Sequence, residues 1–234
     1  MKVHSAMILA AGRGTRMRPL TDTMPKPLLE VAGRPMINRV LDHLCGVGIS
    51  RAVVNIHHLG DMIRSHLGNL SSPEIHFSDE SELLLETGGG IVKALPLLGP
   101  DPFVTVNSDA IWKGGNPMAD LLSKWDPTAM DALMLLVPRE RSIAYSRLGD
   151  FYLDKGRPIR RGTAATAPFV YSGAQIIHPV AFDDAPDGPF STNILWDRLL
   201  DRGRLFASVY DGDWVDVGTP DGLMRANLLM SDPL

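Results

Sequence analysis

The chain of 234 residues contains one cysteine, Cys45. A lone thiol excludes an internal disulfide and a cysteine-built zinc cage, and it suits a reducing cytoplasm. Set in the apolar segment around Leu44 and Val47, Cys45 reads as a small buried thiol rather than a nucleophile. A surplus of cations is also missing, since the formal net charge is −4. With no broad positive field, neither nucleic acid nor an anionic membrane is an expected partner, and an anionic ligand must be held by local positive charge. Long apolar runs are absent too: none approaches the roughly 18 residues that a spanning helix needs. The apolar part of the opening stretch from Met1 to Ala10 is too short for a signal peptide and runs into a glycine-rich loop, so it reads as a first strand. Repeats, low-complexity segments and linkers are lacking, which leaves one domain with two subregions as the expectation. The composition, 44% hydrophobic and 21% charged, fits a globular chain with a substantial core.

Short apolar runs at Met7–Leu9, Ala52–Ile56, Phe103–Val106 and Leu133–Val137 alternate with helical patterns. This predicts an α/β fold with a mixed, mostly parallel sheet flanked by helices. Apolar residues from Met36 to Val47 recur at helical spacing before Gly48. Further helices are expected over Asp61–Leu67, from Gly88–Gly90 to about Leu95 before Pro96, after a cap at Ser191 or Thr192, and over about Asp221–Met230. Met224 and Leu228 read as core positions on the last of these. From Leu148 onward, Phe151–Leu153, the Lys155-Gly156 turn, Pro158-Ile159 and Phe169–Tyr171 predict a smaller antiparallel lobe, and Leu205–Val209 another strand.

The densest motif is Leu9-Ala10-Ala11-Gly12-Arg13-Gly14-Thr15-Arg16-Met17-Arg18-Pro19, followed by Pro25-Lys26-Pro27. Glycines directly after a strand let backbone N–H groups approach phosphate oxygens, while Arg16 and Lys26 can neutralise a triphosphate and a leaving pyrophosphate. The dinucleotide fingerprint is excluded because its third glycine falls at Met17. A P-loop is excluded because no Gly-Lys-Ser/Thr follows at the required spacing. A second motif, Phe103-Val104-Thr105-Val106-Asn107-Ser108-Asp109, ends an apolar strand in polar and acidic residues, where ligands gather in open α/β sheets. In a third, Trp214-Val215-Asp216-Val217-Gly218-Thr219, another acid precedes a glycine turn. A fourth, Leu85-Glu86-Thr87-Gly88-Gly89-Gly90, places glycines at a helix start, which equally suits tight helix–sheet packing. His57 and His58 point to opposite faces of a strand, so they read as structural rather than as a joint metal site.

Together these motifs resemble the sugar-1-phosphate nucleotidyltransferase family over nearly the whole chain. The resemblance implies a Rossmann-like nucleotide-binding part over about 1–137 and a sugar-binding part over 138–234. By it, Ala10, Ala11, Gly12, Gly14, Thr15, Arg16, Lys26, Gly88 and Asn107 meet the nucleotide, with Gly88 against the base. Arg16, Lys26, Asp109 and Asp216 are the catalytic set, and Asp109 and Asp216 hold Mg²⁺. Glu86-Thr87-Gly88-Gly89-Gly90-Ile91, with Val54-Asn55-Ile56-His57-His58-Leu59, is similar to the N-acetylmuramate α-1-phosphate uridylyltransferases. This narrower likeness implies UTP and a lactyl-bearing sugar 1-phosphate as substrates. Gly149, Thr166, Ser172 and Thr192 are candidate sugar contacts. The family's Glu-Lys-Pro pattern, whose lysine holds the sugar phosphate, is missing, and Arg160 and Arg161 are read as facing solvent. Guanylyl transfer to mannose or heptose 1-phosphate, cytidylyl transfer to phosphocholine, metal-dependent sugar transfer and a silent regulatory subunit remain rival readings. A monomer or small homo-oligomer is expected.

Overall fold

A computed structural model describes residues 2–231. In chain order the elements are β1 (Ser5–Leu9), β2 (Glu30–Val31), β3 (Arg34–Pro35), α1 (Met36–Cys45), β4 (Arg51–Ile56), α2 (Gly60–Leu67), β5 (Glu74–Asp79) and α3 (Glu86–Leu98). Then come β6 (Phe103–Asn107), β7 (Ala110–Lys113), α4 (Pro117–Lys124), β8 (Ala132–Pro138), β9 (Ser142–Ile143), β10 (Phe151–Asp154), β11 (Arg157–Arg160) and β12 (Phe169–Ile177). The last are α5 (Asn193–Asp201), β13 (Leu205–Val209), β14 (Asp213–Asp216) and α6 (Pro220–Ser231).

The main sheet runs β11-β10-β12-β6-β1-β4-β5, with β8 on β12 and β13 on β8. Strands β5, β4, β1 and β6 are parallel, as is the β8–β13 pair, while β12 runs antiparallel to β6, β8 and β10. The expected antiparallel strands are therefore continuous with the parallel ones through β12 and belong to one mixed sheet.

Strand alternation divides the core into two layers. Ala6 and Ile8 of β1, Val54 of β4 and Leu133 and Leu135 of β8 face α1, α2 and α4. Met7, Val53, Met134 and Leu136 face α3 and α5. Successive strand side chains must point to opposite faces, so strands apolar at every position need cover on both. That requirement produces helix, sheet and helix layers.

Three elements depart from the sequence reading. Helix α3 continues through Pro96: the absent proline N–H forfeits a hydrogen bond only in the last turns, and Ala94 and Leu98 remain buried on one face. Met224 and Leu228 are exposed, because α6 turns Gly222 and Ala226 inward. Cys45 is exposed as well, as the last residue of α1.

Candidate active site

The carboxyl ends of β1, β4 and β6 open into a crevice at the point where the chain order leaves β1 in both directions, the usual place for a ligand in an open α/β sheet. A cavity of about 500 Å³ lies there, and its lining includes Ala10, Ala11, Gly12, Gly14, Thr15, Arg16, Lys26, Asn107 and Asp109. The structure thus brings together nine of the residues picked from the loop and strand motifs.

Local geometry explains why these residue types are needed. Gly14 has φ +62°, and a Cβ there would stand 2.9 Å from Thr21 Cγ2 and 3.2 Å from Lys26 Cβ. The loop is pinned by Met17 N–H donating to the Gly14 carbonyl at 2.8 Å and by Thr21 Oγ1 donating to the same oxygen at 2.9 Å. Arg16 passes over Gly218, where a Cβ would meet its Nη1 at 2.8 Å. The glycine that follows Asp216 in the third motif therefore clears a path for the arginine of the glycine loop.

Beneath the loop lies a buried relay that the motifs did not disclose. Asn55 Oδ1 accepts the Ala10 N–H at 2.7 Å, and Asn55 Nδ2 donates to Glu80 Oε1 at 2.7 Å. The other oxygen of Glu80 accepts the Leu85 N–H at 2.9 Å. Glu80 is fully buried, and a Cβ on Gly90 would approach its Oε1 to 2.7 Å. One carboxylate thus ties the start of the phosphate loop to the start of α3. The adjacent histidines lie just past the end of β4 rather than on opposite faces of a strand, and each has a backbone partner: His57 Nδ1 lies 2.7 Å from the Glu80 carbonyl and His58 Nε2 lies 3.1 Å from that of Thr21.

A second cavity of about 390 Å³ adjoins the first and shares Arg16, Asn107 and Asp109 with it. Asp216 lines its wall. Strand β14 pairs antiparallel with β7 so that Asp216 stands opposite Ala110, diagonally next to Asp109. Two carboxylates from distant segments thus line the second cavity, and Asp109 lines the first as well. Each is paired with a cation: Lys26 Nζ binds Asp109 Oδ2, and Arg147 Nη2 lies 3.6 Å from Asp216 Oδ2. Among the described residues no cluster of three or more His, Cys, Asp or Glu side chains is arranged to hold a metal. Two carboxylates beside a phosphate-sized crevice form a hard-oxygen donor set that fits Mg²⁺, which commonly takes one or two carboxylates with phosphate oxygens and water.

The far wall of the second cavity is aromatic. Tyr171 and Trp196 meet edge to face at 4.7 Å, and Trp196 Nε1 donates to Gln175 Oε1 at 2.9 Å. Loss of solvent pushes the Tyr171 phenol above its ordinary pKa, so it stays a neutral hydroxyl.

Several expected contacts lie elsewhere. Gly88 lines neither cavity: a Cβ there would stand 2.2 Å from the Phe190 ring, and its N–H donates to the Phe190 carbonyl at 2.8 Å. Packing against Phe190 is by itself enough to demand glycine there. Gly149 is buried against Ala167, whose carbonyl oxygen would lie 2.1 Å from a Cβ, and Thr166 is exposed outside both cavities. Ser172 and Thr192 do line the second cavity. Their hydroxyls, however, have internal partners: Ser172 donates to the Leu135 carbonyl at 2.9 Å, and Thr192 Oγ1 lies 3.3 Å from that of Thr87. Arg160, expected in solvent, lines the second cavity, whereas Arg161 clasps the Gly149 and Ala164 carbonyls. Arg147, Asp150, Gln175 and Trp196 are among the lining residues that no motif revealed.

A glycine loop at parallel strand ends, flanked by two cations and two carboxylates, defines a nucleotide-handling transferase crevice. Residues 5–146 match the family described as Nucleotidyl transferase, and the chain belongs to it. It is 40% identical over 234 residues to the N-acetylmuramate alpha-1-phosphate uridylyltransferase of Caulobacter vibrioides, covering 97% of each chain. The protein of that name from Neisseria meningitidis serogroup B is 38% identical over 228 residues, covering 96% of this chain and 97% of its own. Among solved structures, a putative glucose-1-phosphate thymidylyltransferase from Bacillus anthracis superposes with a TM-score of 0.82. It is 22% identical, with 98% of this chain and 96% of its own covered, and supports the fold.

Proposed function

We propose that the chain catalyses Mg²⁺-dependent transfer of UMP from UTP to N-acetylmuramic acid 1-phosphate, forming UDP-N-acetylmuramic acid and pyrophosphate in the cytoplasm. On this reading the chain works as one nucleotidyltransferase domain, as a monomer or small homo-oligomer, in recycling of cell-wall sugar. A phosphate oxygen of the sugar 1-phosphate attacks the α-phosphorus of UTP, and the bond from that phosphorus to the bridging oxygen of pyrophosphate breaks. The observation that carries the reading is that Asp109, which lines both cavities, shares the second with Asp216, whose strand β14 pairs with β7.

Asp109 and Asp216 would hold Mg²⁺, which would supply charge neutralisation for the phosphates. The loop from Ala10 to Thr15 supplies backbone around the triphosphate. Lys26 and Arg16 balance charge that shifts to the leaving pyrophosphate, without a covalent intermediate. The second cavity takes the sugar against Tyr171 and Trp196.

A matrix of the four nucleoside triphosphates against sugar 1-phosphates, read by pyrophosphate release, tests the proposal. UTP with N-acetylmuramic acid 1-phosphate is expected to lead. Equal or better use of N-acetylglucosamine 1-phosphate, which lacks the lactyl carboxylate, or a preference for GTP overturns the specificity. Absence of pyrophosphate release from every pair overturns the enzyme reading in favour of a silent binding subunit.

A further inference from the structure

The missing Glu-Lys-Pro lysine leaves the sugar phosphate without an assigned cation. Three arginines line the second cavity: Arg16, Arg147 and Arg160. Arg16 is shared with the first cavity and lies over Gly218. Arg160 is committed at the aromatic end, where its Nε donates to Asp197 Oδ1 at 2.9 Å and its Nη1 to Asn193 Oδ1 at 2.8 Å. Its guanidinium also sits over the Phe151 and Trp196 rings, 5.1 and 5.5 Å from their centroids. Asp197 already neutralises that charge. Arg147 also has a ring and a carboxylate beside it but is held more loosely. Its side chain is 67% exposed, it lies 4.9 Å from the Tyr145 ring centroid, and its contact with Asp216 at 3.6 Å is beyond ordinary hydrogen-bond length.

We infer that Arg147 clamps the phosphate of the sugar 1-phosphate. The inference rests on the proposed transferase reaction, because only that reaction brings a second phosphate to Asp109 and Asp216. A dianion entering between carboxylates needs a compensating cation, and Arg147 stands beside Asp216 with a planar fork of donors suited to phosphate oxygens. When Asp216 turns to a divalent cation, its hold on Arg147 weakens and the guanidinium is free to meet the incoming phosphate. Lys26 stands in the same relation to Asp109 on the nucleotide side. Each acid of the site thus carries a cation aimed at a different substrate.

Calorimetric binding by the full chain, with Mg²⁺ and a non-reacting UTP analogue present, separates this role from others. The titrants are N-acetylmuramic acid 1-phosphate, N-acetylglucosamine 1-phosphate and unphosphorylated N-acetylmuramic acid. Loss of a charge-assisted contact predicts that Arg147→Ala weakens both phosphorylated sugars by about tenfold or more and by like factors. Binding of the free sugar and of the UTP analogue stays within about twofold. Arg147→Lys, which keeps the charge but not the fork, recovers part of the loss. A loss confined to the lactyl sugar, an equal loss for the UTP analogue, or no loss overturns the inference. The wild-type chain reports separately on the underlying reading: if it binds neither sugar but the pyrophosphate matrix reveals another sugar 1-phosphate, that sugar enters the same comparison. If the wild type binds no sugar 1-phosphate at all, both fall.

Discussion

The two adjoining cavities are built by different means. The first is framed by backbone: a glycine loop leaving a parallel strand, anchored from below by Asn55 and Glu80. The second is framed by side chains brought from β10, β11, β12, α5 and β14, among them Phe151, Arg160, Tyr171, Trp196 and Asp216. Backbone amides answer to phosphate, which every nucleoside triphosphate carries, whereas a side-chain wall can be altered one residue at a time. On the proposed reading, the triphosphate chemistry common to all nucleotides falls to the first cavity and discrimination among sugars to the second.

Asp109 borders both cavities and Asp216 the second, and as the proposed holders of Mg²⁺ their loss should have the largest effect. Asp109→Asn or Asp216→Asn is expected to lower turnover by roughly a thousandfold while circular dichroism and thermal unfolding stay those of a folded chain. Near-normal rates for both variants at limiting Mg²⁺ would detach the two carboxylates from catalysis. Next comes the first cavity, where Lys26→Ala or Arg16→Ala should reduce kcat by about a hundredfold without reordering nucleotide preference. If either variant exchanged one nucleotide for another at an unchanged rate, the contrast between generic and discriminating halves would fail.

A smaller effect, on stability, is expected at Gly88. Gly88→Ala forces a methyl group into the Phe190 ring and should destabilise the fold by about 1–3 kcal/mol, measured by denaturant unfolding, with the KM for UTP unchanged. A raised KM with unaltered stability would return this residue to the nucleotide. The smallest effect belongs to Thr166→Ala. With its side chain exposed outside both cavities, sugar discrimination measured as a ratio of kcat/KM should change by less than about twofold.

The same division governs what could be read before the structure. Strands β1, β4, β6 and β8 were legible because burial on both faces makes them short continuous apolar runs. Edge strand β5, Glu74-Ile-His-Phe-Ser-Asp, has only its Ser fully buried and lacks that signature. Helix α4 was not read from the sequence, although Asn116, whose side chain accepts the Met118 N–H, and Pro117 mark its start. Gly12, Gly14, Lys26 and Asp109 declared themselves because backbone approach and strand-end chemistry demand those residue types within short segments. Arg147, Gln175 and Trp196 converge from separate elements, and each alone looks like an ordinary surface or core residue. Gly88 is ambiguous for a related reason: packing against an aromatic ring and contact with a base require the same absence of a side chain.

The pairing of β14 with β7 also sets an order of events during synthesis. A chain emerging from the ribosome completes β1, the glycine loop and β6, with Lys26 and Asp109, well before β14 exists. Since early segments can begin to fold during translation, the triphosphate crevice has its parts while the second carboxylate is still unmade. Only when Asp216 aligns opposite Ala110 is the pair complete. A nascent chain stalled short of that strand holds the pieces of a nucleotide site without the means to use it.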